Sequence, residues 1–217
     1  MQLDFLNNAP PVRERFPDAQ VEYVEDFLPA ATADRMFARL RDSIDWRQDS
    51  LTMFGKRHLI PRLQQWFADA GLVYTWSGIR MEPTVWTPEL EELRSMLHEH
   101  TGARFNTALA NLYRDGDDTV GWHADDEPEL GEEPVIASLS FGAPRDFVLR
   151  HNTRKDVDKA TFTLGHGSLL VMSGRTQYCW QHCLPRRKRC RLPRINLTFR
   201  LVRPSRAGED GSYTRVR

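Results

Sequence analysis

Residues 192–200, Leu-Pro-Arg-Ile-Asn-Leu-Thr-Phe-Arg, constrain the fold more than any other stretch of this sequence. Their apolar and polar residues alternate, so a β-strand would place Ile195, Leu197 and Phe199 on one face. The other face would then carry four polar side chains, Arg194, Asn196, Thr198 and Arg200. Turning two arginines toward a protein interior is costly unless an anion neutralises them. The stretch therefore predicts either a sheet with one face in water or a pocket that binds an anion.

Six further segments have the short length and the composition of β-strands. They span residues 107–113, 135–141, 146–150, 160–164, 168–173 and 177–182, and a seventh strand is predicted at 194–202. Seven short strands joined by polar turns are typical of a jelly roll, whose two sheets enclose a pocket. We therefore predict a mainly β protein with flanking helices.

The N-terminal half is predicted to buttress one of these sheets. Residues 21–28 are interpreted as a short strand that leads into a helix at 29–44, and a second amphipathic helix is predicted at 88–102. Residues 50–80 are interpreted as hairpins. Residues 1–22 have three prolines and little periodicity, which predicts a loosely ordered arm ahead of a single domain at 23–217.

His123 and Asp125 are candidate metal ligands. Side chains two residues apart project to the same side of an extended strand, so the imidazole and the carboxylate can bind one ion. His182 is the best third candidate. Two histidines and one carboxylate form the facial triad of non-haem Fe(II) oxygenases. The His-x-Asp pair alone is a weak signal, because this spacing often occurs by chance.

Taken together, these motifs resemble those of the AlkB-type Fe(II)/2-oxoglutarate dioxygenases, which remove alkyl groups from nucleobases. The matching pieces, in the family's order, are Asn111-x-Tyr113, His123-x-Asp125, His182 and Arg194-x-Asn196-x-Thr198-x-Arg200. The resemblance covers about residues 51–202, and it is closest to the branch that repairs duplex DNA. It implies a double-stranded β-helix, which agrees with the jelly roll, with recognition hairpins at about 50–80 and a core at about 104–203.

The resemblance also implies the cofactors and the reaction. Fe(II) would be bound by His123, Asp125 and His182, and the co-substrate 2-oxoglutarate would pair with Arg194 and Arg200. Asn111, Tyr113, Asn196 and Thr198 would add neutral hydrogen bonds. With O2, the enzyme would demethylate N1-methyladenine and N3-methylcytosine and release formaldehyde, succinate and CO2.

Contacts to DNA are implied by the same resemblance. Phe54, with Gly55 and Lys56, would enter the duplex and replace the flipped base, while Arg62 would bind phosphate. The pocket for that base would be lined by Tyr74, Thr75, Trp76 and Ser77, with Trp76 stacked against the base opposite His123. This chain has Trp76 where close members of the branch have Phe. Without the resemblance, Phe54 would be interpreted as packing within its own hairpin.

Charge is distributed unevenly along the chain, although the total is zero. Residues 151–217 hold 15 Lys+Arg against 4 Asp+Glu, whereas residues 1–150 hold 15 against 26. The densest basic cluster contains Arg187, Lys188 and Arg189, and we predict that it binds nucleic-acid phosphates. Asp126 is predicted to favour cationic methylated bases over neutral ones. The alternative is that Asp126 belongs to a solvated acidic loop.

The remaining composition bounds the setting of the protein. We see no apolar run of membrane-spanning length and no signal peptide, so we expect a monomer in the cytoplasm, or in the nucleus if the chain is eukaryotic. Three cysteines do not suggest a disulfide framework. A zinc site of Cys179, His182, Cys183 and Cys190 is a less favoured alternative.

Two other functions stay open at this stage. One is a related dioxygenase that acts mainly on single-stranded DNA or RNA, whose bases need no extrusion. The other is a catalytically silent jelly-roll binding module, which would leave the row of Arg194 and Arg200 without an explanation.

Overall fold

The computed structural model describes residues 11–53, 55–72, 74–76, 79–81 and 83–203, with the backbone alone at 14–15, 51–53, 74–76 and 79–81. The strands, in chain order, are β1 (Val12–Phe16), β2 (Ala19–Val24), β3 (Ser50–Met53), β4 (Lys56–Leu59), β5 (Leu63–Ala68), β6 (Tyr74–Trp76), β7 (Ile79–Met81), β8 (Thr107–Tyr113), β9 (Val120–His123), β10 (Ile136–Gly142), β11 (Arg145–His151), β12 (Ala160–Leu164), β13 (Leu169–Ser173), β14 (Trp180–Leu184) and β15 (Arg194–Arg200). The helices are α1 (Ala30–Ser43), α2 (Pro88–Thr101) and the short α3 (Thr176–Cys179). In the described part of the chain, every helix is too short or too polar to span a bilayer.

Two antiparallel sheets form the core of the fold. The larger sheet has the strand order β1-β2-β13-β10-β15-β8-β5, and the smaller has the order β12-β11-β14-β9. Two separate hairpins, β3–β4 and β6–β7, lie outside them. This mainly β architecture confirms the predicted fold class, and two sheets that face each other enclose a pocket as a jelly roll does.

The outer face of the larger sheet is covered by the first two helices. Ile195, Leu197 and Phe199 of β15 are fully buried there, in one cluster with Leu40 of α1 and Leu93 of α2. The apolar half of the alternating stretch therefore faces the helices, as its period of two requires. The polar half must face the space between the sheets.

The second helix begins and ends at signals in the sequence. Thr87 precedes it, and its side chain accepts a hydrogen bond from the backbone N–H of Leu90 at 3.4 Å. Pro88 occupies the first turn, where a missing N–H costs nothing. Gly102 ends the helix with φ at 70°, a left-handed conformation that favours glycine. The helix predicted at 88–102 is thus confirmed, as is the one predicted at 29–44.

Two predicted elements were wrong. Residues 12–16 and 19–22 do not belong to a loose arm, because β1 and β2 pair with each other and extend the larger sheet beside β13. The strand predicted at 177–182 begins only at Trp180. The preceding residues form α3, in which the N–H groups of Tyr178 and Cys179 both donate to the carbonyl of Arg175. The single domain at 23–217 stays a prediction.

Candidate active site

Three side chains that could hold a metal ion meet in the pocket between the sheets. β9 ends at His123, Asp125 follows just beyond the strand, and His182 of β14 pairs directly with His123. One ligand atom from each residue lies within 4.8 Å of the other two. The sequence predicts a strand that carries both His123 and Asp125, whereas β9 includes only His123. The two side chains nevertheless converge, and this donor set suits non-haem Fe(II).

The backbone fixes which nitrogen of His123 can bind a metal. Nδ1–H donates to the carbonyl oxygen of Gly121 at 2.9 Å. Because a carbonyl can only accept, the lone pair of the neutral ring lies on Nε2, which faces Oδ1 of Asp125 at 3.9 Å. Metal-binding histidines are commonly oriented by such a hydrogen bond from the other ring nitrogen.

Asp125 is 4% exposed and is held on two sides. Arg200 donates to its Oδ2 from Nε at 3.2 Å and from Nη2 at 2.8 Å. The backbone N–H of Asp125 donates to Oε1 of Gln177 at 2.9 Å. Burial alone would raise the pKa of Asp125, but Arg200 and the two histidines outweigh it and hold the pKa well below its usual range. The carboxylate is therefore ionised, as a metal ligand must be.

His182 is equally buried, and its ring stacks on Phe147 with 5.0 Å between centroids. Burial and the neighbouring His123 lower the pKa of His182 to about 3, although Asp125 opposes the shift. The imidazole is thus neutral at physiological pH. A neutral imidazole is the form that binds a metal ion.

Arg194 marks a place for an anion in the same pocket. It is 2% exposed, its Nη2 donates to Oγ of Ser140 at 2.9 Å, and its buried Nε has no acceptor among the described residues. Burial lowers the pKa of Arg194 to about 10, partly offset by Tyr113, so the group stays cationic at neutral pH. A buried cation with an unused donor fits a carboxylate, and a dicarboxylate such as 2-oxoglutarate therefore suits this site.

Neutral polar side chains continue the pocket wall across the larger sheet. Asn111 pairs with Asn196 across β8 and β15, and Nδ2 of Asn196 donates to Oγ of Ser138 at 2.7 Å. Oγ1 of Thr198 donates to Oδ1 of Asn196 at 3.0 Å. Every residue predicted for metal or co-substrate lines this one pocket: Asn111, Tyr113, His123, Asp125, His182, Arg194, Asn196, Thr198 and Arg200. Their roles in binding 2-oxoglutarate stay predictions.

Arg62 is not where the sequence analysis placed it. It is 5% exposed, lines the same pocket, and donates from Nε to Oδ1 of Asn111 at 2.7 Å. The predicted contact of Arg62 with a backbone phosphate was therefore wrong, because a buried guanidinium cannot reach the outside of a duplex. Gly55 in the turn before β4 and Lys56 in β4 are exposed, as their predicted contact with DNA requires.

The structure covers the predicted base pocket only in part. Phe54 and Ser77 lie outside the described residues, and Tyr74, Thr75 and Trp76 form β6, of which the backbone alone is described. Asp126, next to the candidate metal ligand Asp125, is exposed. The basic cluster Arg187, Lys188 and Arg189 is exposed as well. These contacts to nucleic acid stay predictions.

A zinc site built from the three cysteines does not form in the described part of the chain. Cys183 follows His182 on β14, so their side chains point to opposite faces. Cys179 lies instead with Asp18 and His151. Nδ1 of His151 accepts two backbone N–H groups, which leaves its proton on Nε2 and makes this second cluster unsuited to a metal.

Sequence reasoning missed two residues that shape the site. Gln177 holds the backbone of Asp125 from α3, but it lay in a segment that was interpreted as a strand. Arg145 is 1% exposed and binds backbone carbonyls of two loops next to the pocket. An arginine that follows a turn is usually expected at the surface, so no local signal would have identified it.

Comparison with known proteins gives the same picture. The profile of the 2OG-Fe(II) oxygenase superfamily matches residues 20–200. The mouse DNA oxidative demethylase ALKBH2 is 44% identical over 185 residues, which cover 81% of this chain and 77% of that protein. The bovine alpha-ketoglutarate-dependent dioxygenase alkB homolog 3 is 43% identical over 190 residues, which cover 84% of this chain and 66% of that one.

The solved structure of OsALKBH1 shares the fold, with a TM-score of 0.58 at 13% identity, over 87% of this chain and 99% of that one. The matched profile covers both sheets except β1 and the first residue of β2, and it includes the triad and the polar row of β15. From its sequence, its fold and its donor set, the chain belongs to the 2OG-Fe(II) oxygenase superfamily.

Proposed function

We propose that the protein is a nucleic-acid repair dioxygenase that demethylates N1-methyladenine and N3-methylcytosine in DNA. One observation carries the enzyme class: the triad and the buried, incompletely paired Arg194 share a single pocket. A silent binding module would bear the cost of that cation without a ligand to offset it. The nucleic-acid substrate is supported by the mouse relative, whose name describes oxidative demethylation of DNA.

In this proposal each end of 2-oxoglutarate has its own arginine. Arg200 already binds the metal ligand Asp125, so it lies at the metal end, where the 2-oxo acid would chelate. Arg194 would bind the far carboxylate, beside the ring of Tyr113, whose centroid is 5.3 Å from its Cζ. When bound, Fe(II) supplies the activation of O2.

The reaction is balanced by the co-substrate. One oxygen atom of O2 enters the new carboxylate of succinate as CO2 leaves, and the other is inserted into a C–H bond of the N-methyl group. The resulting cationic N-hydroxymethyl base loses formaldehyde and a proton, which water accepts, and becomes the neutral repaired base. No proton acceptor of the protein is required for cleavage of the C–H bond. The residues hold the metal, orient Asp125, bind the two carboxylates and exclude water with apolar neighbours such as Phe147, Met172 and Leu184.

Base selection would come from groups at the mouth of the pocket. Trp76 would stack on the flipped base opposite His123, and Asp126 would favour the cationic methylated bases over neutral ones. Phe54 would fill the gap in a duplex, since stacking a base on an aromatic ring contributes about 1–3 kcal/mol. Tyr74, Thr75 and Ser77 would line the pocket, and Gly55 and Lys56 would contact the strand.

The protein would act as a monomer on nucleic acid and not at a membrane. Its place would be the cytoplasm, or the nucleus in a eukaryotic cell. The second candidate is a dioxygenase with a preference for single-stranded DNA or RNA, and the exposed basic cluster is equally compatible with it, because these cations would bind the phosphates of single or double strands.

The test is repair of one N1-methyladenine in matched duplex and single-stranded oligonucleotides, followed by mass spectrometry, with Fe(II), 2-oxoglutarate and air. Loss of the methyl group that requires both cofactors is the expected result, and a faster rate on duplex would support the first candidate. Succinate formation without demethylation would contradict the nucleobase assignment.

A pair of variants on one hairpin tests base flipping. Phe54→Ala should slow duplex repair by about tenfold or more, with little loss on single strands, because only a duplex needs its gap filled. Leu59→Ala is the matched control, since Leu59 is 63% exposed on the same hairpin. Equal losses on both substrates would show that Phe54 packs within the hairpin.

A further inference from the structure

Arg145 is a buried cation that the proposed chemistry does not use. Its guanidinium is bound by backbone carbonyls and not by a carboxylate: Asp115 at 3.0 Å, Asp118 at 3.0 Å and Pro185 at 2.8 Å. The first two belong to the facing loop (residues 114–119) and the third to the basic loop (residues 185–191). Arg145 therefore ties together two loops that are far apart in sequence.

Gly116 brings the same two loops into direct contact. Its N–H donates to the carbonyl of Cys190 at 2.9 Å, and its own carbonyl accepts the N–H of Arg187 at 2.9 Å. A Cβ at Gly116 would lie 1.8 Å from the carbonyl oxygen of Arg187. No other residue type fits without moving the loops apart.

The charges of the basic loop divide into two groups. Arg186 is paired with Asp117 at 2.8 Å, and Arg187 donates to the carbonyl of Pro144 at 3.0 Å. Lys188, Arg189 and Arg191 are exposed, and in the described part of the chain they make no ion pair or hydrogen bond through their side chains. Arg186 and Arg187 therefore hold the loop in place, whereas the cations of Lys188, Arg189 and Arg191 face the solvent.

The loops also adjoin the reaction site. The facing loop joins Tyr113 on β8 to the strand of His123, and the basic loop joins the strand of His182 to Arg194. Cζ of Arg145 lies 5.9 Å from the ring centroid of Tyr113. Because these two loops are joined directly to the strands of the site, holding them in place also fixes their distance from the candidate metal ligands.

We propose that Arg145 and Gly116 are positioning residues: they hold the basic loop, whose binding of nucleic-acid phosphates the sequence already predicts, as a preformed surface at a fixed place relative to the metal site. This inference rests on the proposed function and adds what holds the surface in place. Three outward cations on one loop match a polyanion, and a surface ordered before binding avoids the entropy cost of ordering it.

The first experiment removes charge. Lys188→Ala/Arg189→Ala should reduce the slope of log affinity for duplex against log salt by about 2, because each phosphate contact contributes about 0.9. The control is Arg35→Ala/Arg104→Ala, which removes two exposed cations, one from α1 and one from the segment that follows α2. An equal change of slope in both variants would overturn the surface, as would no change in the first.

The second experiment moves the loop without changing its charge. Gly116→Ala should raise KM for a methylated duplex by about tenfold, with a smaller change in kcat, because phosphate contacts act in binding. Gly165→Ala is the matched control, since its Cβ would meet only Oη of Tyr23 at 3.9 Å. An unchanged KM in Gly116→Ala would overturn the positioning role.

Hydrogen exchange on the unaltered protein covers the case in which Gly116→Ala fails to fold. The amides of Gly116, Arg187 and Cys190 are all hydrogen-bonded, so they should exchange slowly without nucleic acid. Fast exchange would overturn a preformed surface. Failure of the proposed function would be distinct, because wild type would then bind duplex with the expected salt slope but leave N1-methyladenine methylated.

Discussion

Arg194 and Arg145 are both almost fully buried and both lie beside Tyr113, yet their guanidinium groups are used in opposite ways. Arg145 donates to three backbone carbonyls, whereas Arg194 donates from Nη2 to Ser140 and keeps an Nε that has no acceptor among the described residues. A cation whose donors are filled by its own protein supports the fold. A cation with a donor left over, in a pocket, indicates a ligand.

Substitutions of residues that line the pocket with Arg194 should have the largest effect on the reaction. Asp125→Ala should abolish turnover of 2-oxoglutarate and nucleic acid alike, since it removes an ionised candidate metal ligand. Glu132→Ala is the control, and it should keep succinate formation because Glu132 is an exposed carboxylate that does not line the pocket. Full activity of Asp125→Ala in a direct succinate assay would contradict the assignment of this pocket to the reaction.

Arg145→Met should act on stability and much less on the co-substrate. Removing the guanidinium leaves three carbonyls without a donor, at a cost of about 3 kcal/mol in the free energy of unfolding. Urea unfolding would measure it. If Arg145→Met had wild-type stability and a hundredfold higher requirement for 2-oxoglutarate, Arg145 would be a ligand-binding arginine like Arg194. The proposed difference between the two arginines would then be wrong.

Gln177→Met should weaken iron binding by about tenfold, the scale at which groups that orient metal ligands act. Gln177 accepts the N–H of Asp125 and is 2% exposed, so methionine replaces its volume but not its acceptor. An anaerobic Fe(II) titration gives the affinity. Wild-type affinity would show that Arg200 alone is enough to orient Asp125.

The smallest effect is expected at the facing loop, on its acid stability. Burial would raise the pKa of Asp118, but hydrogen bonds from Arg114 lower it below the ordinary value. A carboxyl group whose pKa is lower in the folded state stabilises the fold at pH values above its unfolded pKa of about 3.9. That stabilisation is lost as the pH falls through the pKa of the folded state. Asp118→Asn should therefore remove about 1 kcal/mol at pH 7 and little at pH 2. A loss that is the same at both pH values would contradict the ion pair.

The residues that line the pocket could be predicted from the sequence better than those that join the facing loop to the basic loop, for physical reasons. The alternation around Leu197 could be read directly, because a strand repeats every two residues. Arg62 was misplaced because a basic residue near Lys56 is expected in water, and its burial depends on Asn111, 49 residues away. Arg145 and Gly116 bind carbonyl groups of distant loops, and backbone acceptors leave no pattern of residue types.

The central claim is that Arg194 binds the far carboxylate of 2-oxoglutarate, and one calorimetric titration tests it directly. Anaerobic, iron-loaded protein would be titrated with 2-oxoglutarate and with 2-oxopentanoate, which has a methyl group in place of that carboxylate. Wild type and Arg145→Met should prefer 2-oxoglutarate by about a hundredfold, the scale of a buried charge-assisted pair, and Arg194→Met should lose the preference. An undiminished preference in Arg194→Met would contradict the account.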